Sequence, residues 1–192
     1  MLFTRLSLAA LLAAAGSQPA LAGPNSGIIQ FEGEVLASTC TVSVNGVEAP
    51  NAATVILQDA KREEVNAYLR AHGADFSIEL RDCSGLGGVT QVQATFNAAN
   101  GTTVTDGALD NMATANAARD VKLRLLRHTN QGGYTSIVQV GNDDFANTNR
   151  FKIKNGAASL PYTIQYYMPI NSWNSIIEGN IEAAVEFVLH YI

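Results

Sequence analysis

Apolar and polar residues alternate with a period of two along most of this chain, which is the pattern of half-buried β-strands. In the clearest run, Phe76, Ile78 and Leu80 alternate with polar residues, and a similar run closes the chain. The pattern predicts strands at 29–35, 76–81, 89–96, 121–126, 136–140, 160–167 and 183–191, and short runs rich in β-forming residues add 41–44 and 54–57.

Segments rich in Gly and Asn separate these runs, as expected for turns that need positive φ angles. One helix is predicted over 58–71, where Glu64, Tyr68 and Leu69 have helical spacing and Gly73 follows as a stop. Many short strands with one short helix predict an all-β chain folded as an antiparallel β-sandwich.

The N-terminus has the three parts of a secretory signal peptide. Arg5 supplies the positive charge, an apolar run of about ten residues follows, and Ala20-Leu21-Ala22 forms a small-x-small cleavage site. The run is too short to cross a bilayer. We therefore expect residues 1–22 to be removed and the exported chain to begin at Gly23.

Cys40 and Cys83 are the two cysteines of the chain. In an oxidising compartment such a pair most simply forms one disulfide, with two buried free thiols as the alternative. The wide spacing, without a CxxC motif or a nearby His, argues against a metal site.

Composition and charge exclude some functions and support few others. The net charge is −5 and only 15% of residues are charged, with no basic cluster to bind nucleic acid. His72, His128 and His190 lie far apart in sequence, and none accompanies a nucleophile motif. We therefore expect no catalytic residues, metal or cofactor. Asn100-Gly101-Thr102 matches a glycosylation sequon, a weak signal by itself.

The two ends of the chain suggest strand exchange between copies. Val185, Phe187, Leu189 and Tyr191 give the last strand an apolar face, and no sequence remains to form a neighbouring strand. An uncovered apolar edge is an aggregation hazard. Residues 23–27 form a short arm with no core pattern, which could serve as a spare strand.

Four motifs in order give a family resemblance. They are Gly27-Ile28-Ile29-Gln30-Phe31-Glu32-Gly33-Glu34-Val35 followed by Cys40, Phe76-Ser77-Ile78-Glu79-Leu80-Arg81-Asp82-Cys83, Leu160-Pro161-Tyr162-Thr163-Ile164-Gln165-Tyr166-Tyr167, and Phe187-Val188-Leu189-His190-Tyr191-Ile192. With the signal peptide and the cysteine pair, the chain resembles the pilins of the chaperone–usher pathway, most closely the major-subunit family of type 1 fimbriae.

The resemblance implies an incomplete immunoglobulin-like sandwich (31–192) that lacks its seventh strand and carries the Cys40–Cys83 disulfide. It implies that a periplasmic chaperone lends a strand beside the last strand and holds the Ile192 carboxylate, and that the next subunit's arm replaces it at an outer-membrane usher. The donor strand would be the arm 23–30, and the residues assigned to it are Gly23, Asn25, Gly27 and Ile29. The acceptor groove would be lined by Val185, Phe187, Leu189, Tyr191 and Ile192.

Cleavage after Ala22 leaves four residues before Gly27, fewer than is usual for shaft subunits. Either the donor extends into 28–31 or cleavage occurs earlier. The leading hypothesis is a structural fimbrial subunit on the cell surface that polymerises with neighbouring pilins and supports adhesion. The alternatives are a minor adaptor or single-domain tip adhesin that binds a glycan, and a secreted β-sandwich enzyme.

Overall fold

A computed structural model describes residues 39–65, 72–128, 135–142, 150–169 and 175–192, and all regular structure in these ranges is β-strand. The predicted signal peptide, the arm 23–30 and the predicted strand 29–35 lie outside the described residues. No helix in the described part of the chain is long and apolar enough to cross a membrane.

Eleven strands are described, and most coincide with an alternating run of the sequence. They are β1 (Thr39–Val44), β2 (Val47–Glu48), β3 (Gly73–Ser84), β4 (Gln91–Ala98), β5 (Val104–Thr105), β6 (Ala108–Leu109), β7 (Lys122–His128), β8 (Thr135–Ile137), β9 (Phe151–Lys152), β10 (Ala158–Tyr167) and β11 (Val185–Tyr191).

The strands form two sheets, and every strand pair in the described ranges is antiparallel. The larger sheet has eight strands in the order β2-β1-β3-β10-β7-β6-β5, with β8 also paired to β7. The smaller sheet has the order β11-β4-β9. The prediction of an antiparallel all-β fold is confirmed.

Side chains from both sheets form one main core. The larger sheet contributes Ile78, Leu80, Leu123, Leu125, Leu160 and Tyr162, and β4 contributes Val92, Ala94 and Phe96. Tyr162 is 2% exposed, and its ring packs edge-on against Phe96 at 4.9 Å and stacks on Phe76 at 5.6 Å. Burial raises the pKa of the Tyr162 phenol above its usual range, although the nearby Arg127 opposes the shift.

The predicted disulfide is confirmed. Cys40 of β1 and Cys83 of β3 are bonded, with their Cα atoms 4.1 Å apart. The bond ties the first described strand to β3, which pairs with β10 along eight residues. It therefore links β1 covalently to the centre of the larger sheet.

Two predicted elements are wrong in their described parts. Residues 58–65 hold a single turn in place of a helix, in which Lys61 O accepts the N–H groups of Glu64 and Val65. Tertiary contacts outweigh the weak helical spacing here, because Tyr166 Oη donates to Gln58 O at 3.1 Å and Val65 is buried in a second apolar cluster. The rest of that prediction, 66–71, lies outside the described residues.

Residues 54–57 are also not a strand. They keep the alternation of one, with Val55 and Leu57 half-buried and Ile56 83% exposed, but they join no ladder in the described part of the chain. A ladder needs a neighbouring strand about 4.8 Å away, and the described residues supply none for this segment.

Candidate functional site

The strand β11 lies at one end of the smaller sheet. Among the described residues its ladder runs along β4, with Phe187 opposite Phe96 and Leu189 opposite Ala94. Because side chains alternate across a strand, Val185, Phe187, Leu189 and Tyr191 share one face. All four pack against the main core.

This inward row of β11 is covered less well than the β4 row beside it. Val92, Ala94 and Phe96 are buried, whereas the four inward residues of β11 are half-buried. The difference places an incompletely covered apolar strip at the end of the smaller sheet. We call this strip, Val185, Phe187, Leu189 and Tyr191, the β11 row.

The other face of β11 is polar or exposed. Glu186 and Val188 are exposed, Val188 by 46%, and the ring of His190 contacts Thr95 Oγ1 through Nε2 at 3.0 Å. The strand thus separates a core-facing row from a solvent-facing one. Substitutions at neighbouring positions can therefore test the two faces independently.

The last residue is fixed in register with β4. Ile192 N–H donates to Gln91 O at 2.8 Å, and Ile192 O accepts from the N–H groups of Thr90 and Gln91 at 3.2 and 3.0 Å. The residue is 39% exposed. These bonds hold the β11 row in place to the end of the chain.

A second half-buried row comes from residues 53–57. Val55 and Leu57 pack against the same core cluster as the β11 row. The sequence predicted a strand here but did not place this segment near the β11 row. Val55, Ile56 and Leu57 are all apolar, so the sequence alone does not show which of them face the core.

A cavity of about 230 Å³ lies beside the second apolar cluster, between residues 59–65 and 176–181. Tyr166 and Ile181 contact this cluster and the main core. Burial raises the pKa of the Tyr166 phenol, and the negative charge of Asp59 adds to the shift.

Asn111, which sequence reasoning missed, joins two loops near this cavity. Its amide donates to Ala118 O at 2.9 Å and Asn180 O at 2.8 Å, and its Oδ1 accepts the N–H groups of Ala113 and Glu182. Nearby, a Cβ on Gly179 would lie 2.2 Å from Asn116 O, so the loops meet too closely for a side chain. No sequence motif marks this network.

The histidines take part in separate local contacts. His72 pairs with Glu64 at 3.2 Å, and His128 Nε2 contacts Thr163 Oγ1 at 2.5 Å. Thr163 donates to Asp75, so the imidazole is the donor in its own bond to Thr163. In the described ranges, no three His, Cys, Asp or Glu side chains converge as a metal site would require.

The predicted residues fall into two groups. The structure brings Val185, Phe187, Leu189 and Tyr191 together on one face and places Ile192 at its end. The predicted donor residues Gly23, Asn25, Gly27 and Ile29 lie outside the described residues. Their role stays a prediction.

Known proteins with similar sequences are fimbrial subunits. A family model described as FimA, type-1 fimbrial protein, A, matches residues 62–192. The major fimbrial subunit SMF-1 of Stenotrophomonas maltophilia (strain K279a) is 30% identical over 186 residues, covering 94% of this chain and 99% of the relative. The S-fimbrial protein subunit SfaA of Escherichia coli O6:K15:H31 (strain 536 / UPEC) is 27% identical over 180 residues, covering 92% and 91%.

Solved structures share the fold. The P pilus rod subunit PapA matches with a TM-score of 0.51 and 17% identity, covering 80% of this chain and 99% of that one. A chain from a chaperone–usher pilus studied for rod uncoiling matches with a TM-score of 0.55 and 19% identity, covering 88% and 98%. The fold is therefore the immunoglobulin-like pilin sandwich with sheets that do not close. This chain belongs to the type 1 fimbrial protein family.

Proposed function

We propose that this chain is a structural subunit of a surface fimbria, without catalytic activity, and that a strand from another polypeptide completes its smaller sheet. The observation that carries the proposal is the half-buried β11 row at the end of that sheet. Family membership supports the fimbrial role.

A strand added beside β11 would satisfy two needs at once. Its main chain would continue the ladder, and its alternate side chains would cover Phe187 and Leu189. Completing the burial of a large apolar side chain contributes up to about 1.5–3 kcal/mol. Several such contacts would give a tight, slowly dissociating interface between subunits.

Residues 53–57 are proposed as the opposite wall of the groove. Val55 and Leu57 face the same core as the β11 row, and their segment joins no ladder in the described ranges. A strand between this segment and β11 would find apolar side chains on both sides. Ile56, on the opposite face, would not contact it.

The proposed occupant in the fibre is the arm 23–30 of another copy. Its alternate residues Asn25, Gly27 and Ile29 would face one side, and Gly27 has no side chain to prevent close approach. Before assembly, a periplasmic chaperone would supply the strand and hold the Ile192 carboxylate and Tyr191. Delivery to an outer-membrane usher would then place the subunit on the cell surface.

A matched pair of substitutions in β11 tests the groove. Leu189→Glu puts a charge on the core-facing row, whereas Val188→Glu puts the same charge on the exposed face of the strand. We expect Leu189→Glu to abolish chaperone co-purification and denaturant-resistant polymers, and Val188→Glu to preserve both. Equal behaviour of the two variants would contradict the proposal.

Deletion of residues 23–29 tests the occupant separately. The shortened subunit should still co-purify with the chaperone, because its own groove is intact, but it should not form homopolymers. Polymers that persist would exclude the arm as the donor. Loss of chaperone binding as well would show that the deletion damages the fold.

A further inference from the structure

A tight turn at Asn100-Gly101 is exposed at the end of β4. Both residues have positive φ angles, 53° and 85°, and Thr102 N–H donates to Ala99 O at 3.0 Å. This is the geometry of a two-residue type I′ turn, for which Asn-Gly is the favoured sequence. A Cβ added to Gly101 would meet nothing within 4 Å, so the space around the turn is open.

The fold argues against glycosylation of Asn100, although the sequence matches a sequon. The sequon needs its Thr hydroxyl, and Thr102 is only 7% exposed. Its Oγ1 donates to Met112 Sδ at 3.1 Å and accepts Ala184 N–H at 2.8 Å. The hydroxyl is therefore engaged inside the fold, whereas Asn100 is exposed.

We propose that Asn100-Gly101 is a site of spontaneous deamidation in the folded protein. The main-chain nitrogen of Gly101 attacks the side-chain amide carbon of Asn100. A new C–N bond forms, the bond to the amide nitrogen breaks, and ammonia leaves with the proton lost by Gly101. Water then opens the cyclic imide at either carbonyl and gives aspartate or isoaspartate. The step needs water alone as co-reactant.

Glycine makes this attack possible because it has no Cβ to crowd the ring that forms. The chain has two other described Asn-Gly turns, and both are more restrained. At Asn45-Gly46, the Asn45 Oδ1 accepts Ser77 N–H at 3.0 Å, which holds the side-chain amide. The Asn45 N–H also donates to Ser77 O, at 3.2 Å.

The third turn, Asn155-Gly156, is held through its glycine. Gly156 O accepts Cys83 N–H at 3.0 Å, and two hydrogen bonds join Lys154 to Ala157. A Cβ at Gly156 would lie 3.2 Å from Cys83 O, so this peptide sits closely against β3. The structure thus ranks Asn100 as the fastest of the three sites.

The position of the turn links its modification to the strand β11. Ala99 N–H donates to Ala184 O at 3.0 Å, and Thr102 Oγ1 accepts Ala184 N–H. Ala184 immediately precedes β11. Isoaspartate would add one methylene to the main chain between Ala99 and Thr102 and so change the spacing of the two groups that bond Ala184. We expect the start of β11 to loosen, an effect on assembly that rests on the proposed function.

The test is incubation of the full exported chain, as chaperone complex or fimbria, at mildly alkaline pH. Peptide mapping with electron-transfer fragmentation then separates Asn, Asp and isoaspartate at each site. We expect product at Asn100 to accumulate several-fold faster than at Asn45. In denaturant the two rates should converge, because the Ser77 bond is lost. A folded chain in which Asn45 reacts as fast as Asn100, or in which Asn100 stays intact while the denatured chain reacts, would overturn the proposal.

Asn100→Gln is the control variant, because its longer side chain would close a less favourable six-membered ring. It should show no product at position 100 and unchanged rates at Asn45 and Asn155. Hydrogen exchange at Ala99 and Ala184 should accelerate in aged wild type and not in the variant, and equal acceleration would contradict the link to β11. The chemistry is read by mass, so it stays testable even if the groove proposal fails.

Discussion

Phe187 of β11 lies directly opposite Phe96 of β4, yet Phe96 is 2% exposed whereas Phe187 is half-buried. The two side chains have the same identity and face the same core. They differ because Phe96 belongs to the middle strand of the smaller sheet and Phe187 to a strand at its end. The position of each strand in the sheet therefore determines how far these two opposite rings are buried.

Phe187→Ala should cost more stability when the groove is filled than when it is empty. With the arm 23–30 fused after Ile192 through a flexible linker, we expect a loss of up to about 3–5 kcal/mol, and clearly less without it. Phe96→Ala is the control, because its cost should be similar in both forms. Denaturant unfolding measures all four values. An equal cost of Phe187→Ala in both forms would contradict the groove.

Cys40→Ser should lower the free energy of unfolding by about 2–5 kcal/mol and reduce the periplasmic yield. The bond joins β1 to β3 across 43 residues of sequence, so its loss frees a long loop in the unfolded chain. Cys83→Ser should have the same effect, and the double variant should cost no more than either one. Thiol titration and denaturant unfolding check this. Unchanged stability and yield would contradict a structural role for the disulfide.

Asp110 should stabilise the fold at neutral pH and lose this effect in acid. Burial raises the pKa of its carboxyl, but hydrogen bonds from Lys122, Thr103 and Thr105 outweigh this and leave the pKa below its usual value. A lowered pKa in the folded state means that the stabilisation is present above the unfolded pKa of about 3.9 and is lost as pH falls through the folded value.

The variant Asp110→Asn tests this dependence. At neutral pH it should lower the free energy of unfolding by about 1 kcal/mol, since Lys122 Nζ lies 2.8 Å from the carboxylate in a partly exposed pair. The difference from wild type should shrink as the pH falls below about 4. Thermal unfolding across pH measures it. A difference in stability that grows in acid would contradict the lowered pKa of Asp110 in the folded state.

Asn111→Ala should destabilise the fold by about 2–3 kcal/mol, because it removes four hydrogen bonds and leaves backbone partners unpaired. Thr114→Ala, an exposed change in the same loop, should stay within about 0.5 kcal/mol of wild type. Chemical unfolding of the chaperone-free chain, with the arm 23–30 fused after Ile192, measures the stability of both variants. Similar small effects would mean that the loops are held by other contacts.

Gly179→Ala should disrupt the same loops for a steric reason. The added Cβ would lie 2.2 Å from Asn116 O and 2.8 Å from the Ala117 carbonyl carbon, so backbone atoms would have to move. We expect a loss of stability of about 1–3 kcal/mol. Gly88→Ala is the control. Gly88 also has a positive φ angle, but a Cβ there would meet nothing within 4 Å, so this variant measures the backbone strain without a steric clash. A larger cost at Gly88 would contradict the steric account.

Period-two alternation was sufficient to locate β3, β4, β7, β10 and β11. Each of these strands has one face on the core, so apolar residues recur at every second position of its sequence. The cysteine pair and the family motifs could also be read from the sequence, whereas the signal peptide stays a prediction. The tertiary structure decided everything that depends on a distant neighbour. Residues 54–57 alternate in burial like a strand but join no ladder in the described ranges. The described part of the predicted helix is one turn, and the Gln58 carbonyl that precedes it accepts a hydrogen bond from Tyr166.

The same division applies to the site. Alternation identified one face of the last strand, formed by Val185, Phe187, Leu189 and Tyr191. The alternating pattern is the same, however, whether or not another strand covers that face. Whether the face is complete depends on what lies beside it, which is a property of the whole fold. Asn111 likewise has no motif, because its partners at 180 and 182 are brought near it only when both loops have folded. Local periodicity determined the faces, and long-range packing decided how far each face is buried.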